Sequence, residues 1–107
     1  MGGSIHSVRV FAGTVDSSSS EHQGLQAPAT LTLVEFDDRH QCKFVFFVGA
    51  AFPLTVNAPR DGSDELRGIA QDPRGWEVRF EAKLVGRRVT GSFQQPHDWG
   101  TFDLEEV

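Results

Sequence analysis

The sequence predicts an all-β protein, an up-and-down antiparallel meander of about eight strands closing into a small barrel. Three observations carry that expectation. Hydrophobicity alternates with a period of two nearly everywhere, and no window of a dozen residues shows a helical stripe. Most connections between candidate strands are short, which favours antiparallel pairing of sequential neighbours. Finally, one face of the strands is dry from strand to strand, and a closed ring is the economical way to cover it while leaving no exposed edge. A strongly curved open sheet or a sandwich is the alternative.

The candidate strands are 7–15, 29–36, 42–48, 53–58, 64–71, 76–85, 88–95 and 99–106. Between the first two, "DSSSSEHQGLQAP" at 16–28 is polar and serine-rich and reads as a loop. Pro53 and Pro59 make "AAFPLTVNAP" a poor central strand, because proline cannot donate to the ladder.

Turn chemistry sets the registers of the C-terminal hairpins. "DPRG" suits a three-residue loop with proline first and glycine in the left-handed position, pairing Leu66 with Ala82, Gly68 with Phe80 and Ala70 with Val78. The opposite face then matches Arg67 with Glu81 and Glu65 with Lys83, the cross-strand charge pairing of a solvated wall. A two-residue turn at Gly86-Arg87 pairs Leu84 with Val89, Ala82 with Gly91 and Phe80 with Phe93. A turn at 96–99 is expected to pair Phe93 with Phe102 and Gly91 with Leu104.

The stretch "KFVFFVGAAF", 43–52, is the least polar of the chain and shows no wet face. A loop at Asp37–Gln41 pairing Glu35 with Lys43 places Val34 and Phe36 inside beside Cys42, Phe44, Phe46 and Val48. Leu31, Leu33, Val45 and Phe47 are then expected to form an outward apolar patch. Such a patch needs a cover, so the sequence predicts a homodimer or a protein partner there.

The 107 residues are expected to form one domain. Fifteen acidic against ten basic residues, the latter dispersed, argue against nucleic acid and anionic membrane as partners. No leader-like start and no apolar run long enough to span a bilayer is seen, so a soluble cytoplasmic protein is expected. The single cysteine, Cys42, reads as a small core residue.

The pattern "VGRRVTGSFQQPHDWGTFDL", 85–104, resembles the closing hairpin of small bacterial lipocalin-like, or calycin-like, barrels, in which a glycine-containing strand precedes a final Gly-Thr-Phe-x-Leu strand. The first strand, "SVRVFAGTV", lacks the tryptophan motif of true lipocalins. The resemblance implies an up-and-down barrel whose open end binds an apolar small molecule.

Loop parity gathers Trp76 and Trp99 at one barrel end with His97, Asp98, Arg74 and Phe52, and with His22 within reach. Two indoles, an imidazole, a carboxylate and a guanidinium are the ingredients of a ligand rim. The expected ligand-binding residues are therefore Trp76, Trp99, His97, Arg74 and Phe52, around an apolar small molecule. Asp37, Asp38, Arg39, His40, Arg60, Asp61, Asp64, Arg87 and Arg88 at the other end read as solvated turns.

Catalytic chemistry has little to stand on. The inner face of the four C-terminal strands offers no ionisable side chain, and the chain has no tyrosine. His40-x-Cys42 supplies two metal ligands with no second pair, and the serines of 17–20 lack an oxyanion motif around them. No cofactor, metal or catalytic residue is predicted. A non-catalytic barrel that binds a ligand, self-associates or does both is the expectation, with a cyclase- or isomerase-like barrel acting on an apolar substrate as the alternative.

Overall fold

In a computed structural model, residues 5–17, 25–48, 50–59, 65–71, 75–95 and 99–107 are described. Eight strands follow in chain order: β1 (Ile5–Ser17), β2 (Leu25–Phe36), β3 (Arg39–Val48), β4 (Ala50–Pro59), β5 (Glu65–Gln71), β6 (Glu77–Val85), β7 (Arg88–Gln94) and β8 (Trp99–Glu106). They form one antiparallel sheet in the order β4-β3-β2-β1-β8-β7-β6-β5, so β1 pairs with β8 and the ring is nearly closed. No helix among the described residues is long and apolar enough to cross a membrane.

The remaining seam lies between β4 and β5, which pack together without a shared ladder. Pro53 and Pro59 thus sit in a strand bonded on one side only, where a missing donor is tolerated. Gly68 allows the close approach at this seam: a Cβ there would stand 2.9 Å from the Asn57 carbonyl oxygen and would overlap the Val56 side chain.

Among the described residues, aromatic rings occupy the middle of the interior. Phe80 and Phe102 stack with ring centroids 5.1 Å apart, and Phe44 reaches across to both at 5.7 and 4.9 Å. Phe46 stacks on Phe93 at 5.9 Å. Phe11, Leu31, Leu66, Val56, Val78, Val89 and Leu104 complete a core shared by all eight strands.

The β5–β6 and β6–β7 registers are those the turn residues imply. Three expectations need correction. In β7–β8, Phe93 pairs with Gly100 and Gly91 with Phe102, two residues from the expected register. Each phenylalanine ring lies over the opposing glycine, where a Cβ on Gly91 would come within 2.7 Å of Phe102 Cζ and one on Gly100 within 2.9 Å of Phe93 Cε1. On a concave inner wall two rings directly opposed would crowd, and glycine relieves this. The shift is even, so every side chain keeps its face.

The β2–β3 shift is odd, and it inverts a face. The turn consists of Asp37 and Asp38 alone, so Glu35 pairs with His40, Leu33 with Cys42 and Leu31 with Phe44. Leu31 and Leu33 are therefore inside, 0% and 4% exposed, and do not join an outward patch. Val34 and Phe36 lie on the outer wall, where the Arg39 guanidinium covers the Phe36 ring at 4.2 Å. A register slip by an odd number exchanges the two faces of a strand, and the short turn selects the one that buries both leucines.

The third correction concerns 16–28: β1 and β2 run on into it, with Asp16 opposite Gln26 and Ser17 opposite Leu25. Main-chain ladders do not require apolar side chains, and polarity alone concealed these pairs.

Truncating Phe44 to alanine removes the ring that bridges the two halves, and urea denaturation is expected to read a loss of roughly 3–5 kcal/mol. Gly68→Ala adds only a methyl group, yet it must displace the Asn57 backbone and is expected to cost roughly 1–3 kcal/mol by the same measurement.

Candidate functional site

Alternation decides what each barrel end presents. Trp99 precedes Gly100, an inner-row residue, and so stands on the outer wall of β8, 47% exposed. Trp76 stands one residue ahead of β6, in the alternation that carries Val78 and Phe80 inward, and is 36% exposed. The two indoles thus belong to opposite surfaces of the sheet. His97 and Arg74 lie outside the described residues, as do Asp98 and His22; the backbone of Phe52 pairs with Phe46, and its side chain also lies outside what is described.

Beside Trp99 the outer wall holds a shallow depression of about 600 Å³, lined by Ser92, Phe93, Gln94, Trp99, Gly100 and Thr101. The β7–β8 register places Gln94 directly opposite Trp99 and Ser92 opposite Thr101. An exposed indole face therefore adjoins two hydroxyls and a carboxamide. The amide and hydroxyl partners were not anticipated, although their positions in the outward row of β7 and β8 were readable from the alternation.

The opposite end is more polar inside than the sequence suggested. Arg9 follows the inward row of Phe11, and Glu106 that of Leu104. The Arg9 guanidinium grips the Glu106 carboxylate through Nε and Nη2, each at 2.9 Å, and Nη2 also donates to the Gly86 carbonyl at 2.8 Å. Its carbon lies 5.1 Å from the Phe11 ring centroid. Arg87 adds a second cation 3.6 Å from Glu106. These contacts tie β1 to the last strand and to the β6–β7 turn. The hydrogen bond from Arg9 holds the Glu106 carboxyl below its ordinary range, and on the outer wall Arg88 does the same for Asp103.

His40 and Glu35 share the inner row at this end, with Nε2 and Oε2 3.6 Å apart, and His40 Nδ1 is buried with no hydrogen-bond partner. His40 is thus a mouth residue and not a solvated turn residue. Cys42, two residues on in the same row, is buried, and desolvation pushes its pKa up to about 12. A thiol so protonated is neither a nucleophile nor a ready metal ligand. Among the described residues no three His, Cys, Asp or Glu side chains converge to hold a metal ion.

Two outcomes follow from this electrostatics. A carboxyl with a lowered folded pKa stabilises the fold above its unfolded value, about 4, and that contribution is lost as pH falls through the folded value. Glu106→Gln is therefore expected to melt below the wild type at pH 7, with the gap closing in thermal scans stepped below about pH 4. Cys42 is expected to ignore Ellman's reagent in the folded protein at pH 8 and to react stoichiometrically once denaturant exposes it. No family model, curated protein or solved structure matches this chain.

Proposed function

We propose that this chain is a non-catalytic binding barrel whose ligand sits on the outer wall of its tryptophan end, against Trp99. The observation that carries the reading is the 600 Å³ depression beside a half-exposed indole. An indole offers a large apolar face with one polar handle, and a depression of this size falls in the range of small-molecule sites. The lipocalin-like resemblance is supported by the eight-strand meander, but an interior ligand is not: phenylalanine rings occupy the space where such a ligand would lie. The same filling leaves a cyclase- or isomerase-like reading without support among the described residues.

A second reading, self-association, rests on a different observation. With Leu31 and Leu33 inside, the outer wall of β1–β3 still exposes Val8 and Val10 on β1 and, across β2, Phe47 on β3 at 45%, with Val45 half-buried two residues from Phe47. Arg39 and Lys43 share the outward row of β3 with Val45 and Phe47, and the apolar part of this face is compatible with a second copy of the chain.

Native mass spectrometry of protein taken from its own host reads retained ligand and stoichiometry together. Trp99→Ala is expected to abolish ligand retention or weaken it roughly tenfold, the loss of one aromatic anchor, without lowering the melting temperature. Ligand retained equally by Trp99→Ala would overturn the binding reading. A Val10→Lys, Phe47→Lys double variant is expected to convert dimer to monomer by sedimentation, and a wild type that is already monomeric sinks self-association.

A further inference from the structure

The outer wall of β5–β8 carries more than one depression, and neighbouring ones share lining residues. Glu77, Arg79, Gln94 and Gln95 line one of about 250 Å³. Gln94 also lines the depression at Trp99, and Ser92 on its other side is shared with a third of about 240 Å³ that reaches Glu65 and Arg67 on β5. The result is a shallow trough crossing four strands, roughly 14 Å of sheet at the usual strand spacing.

The chemistry of this trough changes along its length, charged in the two smaller depressions and uncharged at Trp99. Its charged side chains balance, Arg67, Arg79 and Lys83 against Glu65, Glu77 and Glu81. The uncharged outward side chains are the hydroxyls of Thr90, Ser92 and Thr101, the Gln94 carboxamide and the Trp99 indole, over Ala82, Gly91, Phe93 and Gly100 beneath. A trough without net charge, on a chain with a formal charge of −5, gives a polyanion no electrostatic gain. Protein interfaces are depleted of charge at their centres, and here the cross-strand pairs Glu65–Lys83 and Arg67–Glu81, with Glu77 and Arg79, line the two smaller depressions. A purely apolar ligand would desolvate those pairs without replacing their hydrogen bonds. The ligand that fits is elongated, uncharged and rich in hydroxyls, with one apolar ring face to lay on Trp99.

We infer that the outer wall of β5–β8 binds a neutral oligosaccharide, one sugar ring stacking on Trp99 while Gln94, Ser92 and Thr101 hydrogen-bond its hydroxyls. The inference rests on the binding reading above and specifies its ligand class. The axial C–H groups of a pyranose make an apolar face suited to an indole, and amides and hydroxyls serve as both donors and acceptors for sugar hydroxyls. Chain length matters because the trough is longer than one ring.

The test uses the full chain with defined probes: cello-, malto-, xylo- and chito-oligosaccharides from di- to hexasaccharide, a heparin hexasaccharide, and anilinonaphthalene sulfonate as an apolar probe. Isothermal titration is expected to show saturable binding of at least one neutral series, tightening with length, and none of the heparin fragment. Trp99→Ala should weaken it tenfold or more and the Ser92→Ala, Gln94→Ala pair severalfold, with unchanged melting temperatures, while Trp76→Phe binds as wild type. If no neutral saccharide binds but the apolar probe does, and Trp99→Ala abolishes that binding, the saccharide inference is overturned and the Trp99 site survives. If neither binds, both fall. Binding of the heparin fragment alone also overturns the inference.

Discussion

The contact of Phe44 with Phe80 and Phe102 is the constraint on which the rest of this molecule depends. Phe44 comes from β3, in the N-terminal half of the sheet, and its two partners from β6 and β8. A sheet can bring those strands face to face only by curling, and glycines opposite phenylalanines allow the curl. Once the rings meet, the axis of the barrel is occupied, and dispersion and burial hold the two halves together.

Ring closure follows from the same curvature. It brings β1 against β8 and leaves β4 and β5 as the two margins that meet without a ladder. The two margins solve their edge problem differently. At β1–β8 a full ladder is capped by the Arg9–Glu106 fork at the mouth. At β4–β5, prolines remove donors from one strand and Gly68 lets the other pack tightly against it. Paired or covered edges leave little template for aggregation.

Among the described residues, rings occupy the barrel axis and polar groups gather at the mouth and on the walls. The charged mouth is largely spent on itself: Arg9 is engaged by Glu106 and the Gly86 carbonyl, and Cys42 behind His40 is held as a neutral thiol. On the outer wall, by contrast, Trp99 has half its surface in water beside groups that can both donate and accept.

Alternation and turn residues are local signals, and they specify the strand type, the number and order of the eight strands, the charged wall of β5–β8 and two hairpin registers, though not where β1 ends or β2 to β4 begin. The sequence also held the assignment of Trp99 and Trp76 to opposite surfaces, since parity against Gly100 and Val78 separates them. Tertiary structure alone decided the β2–β3 register. Turns at Asp37-Asp38 and at Asp37–Gln41 both leave an apolar inner row, and only burial of Leu31 and Leu33 against the far wall favours the shorter one. It likewise decided that Phe93 should face Gly100, that Arg9 should meet Glu106 across 97 positions of chain, and that the rings should occupy the barrel axis. Each of these depends on how strongly the sheet curves, a property of all eight strands together that no single stretch of sequence encodes.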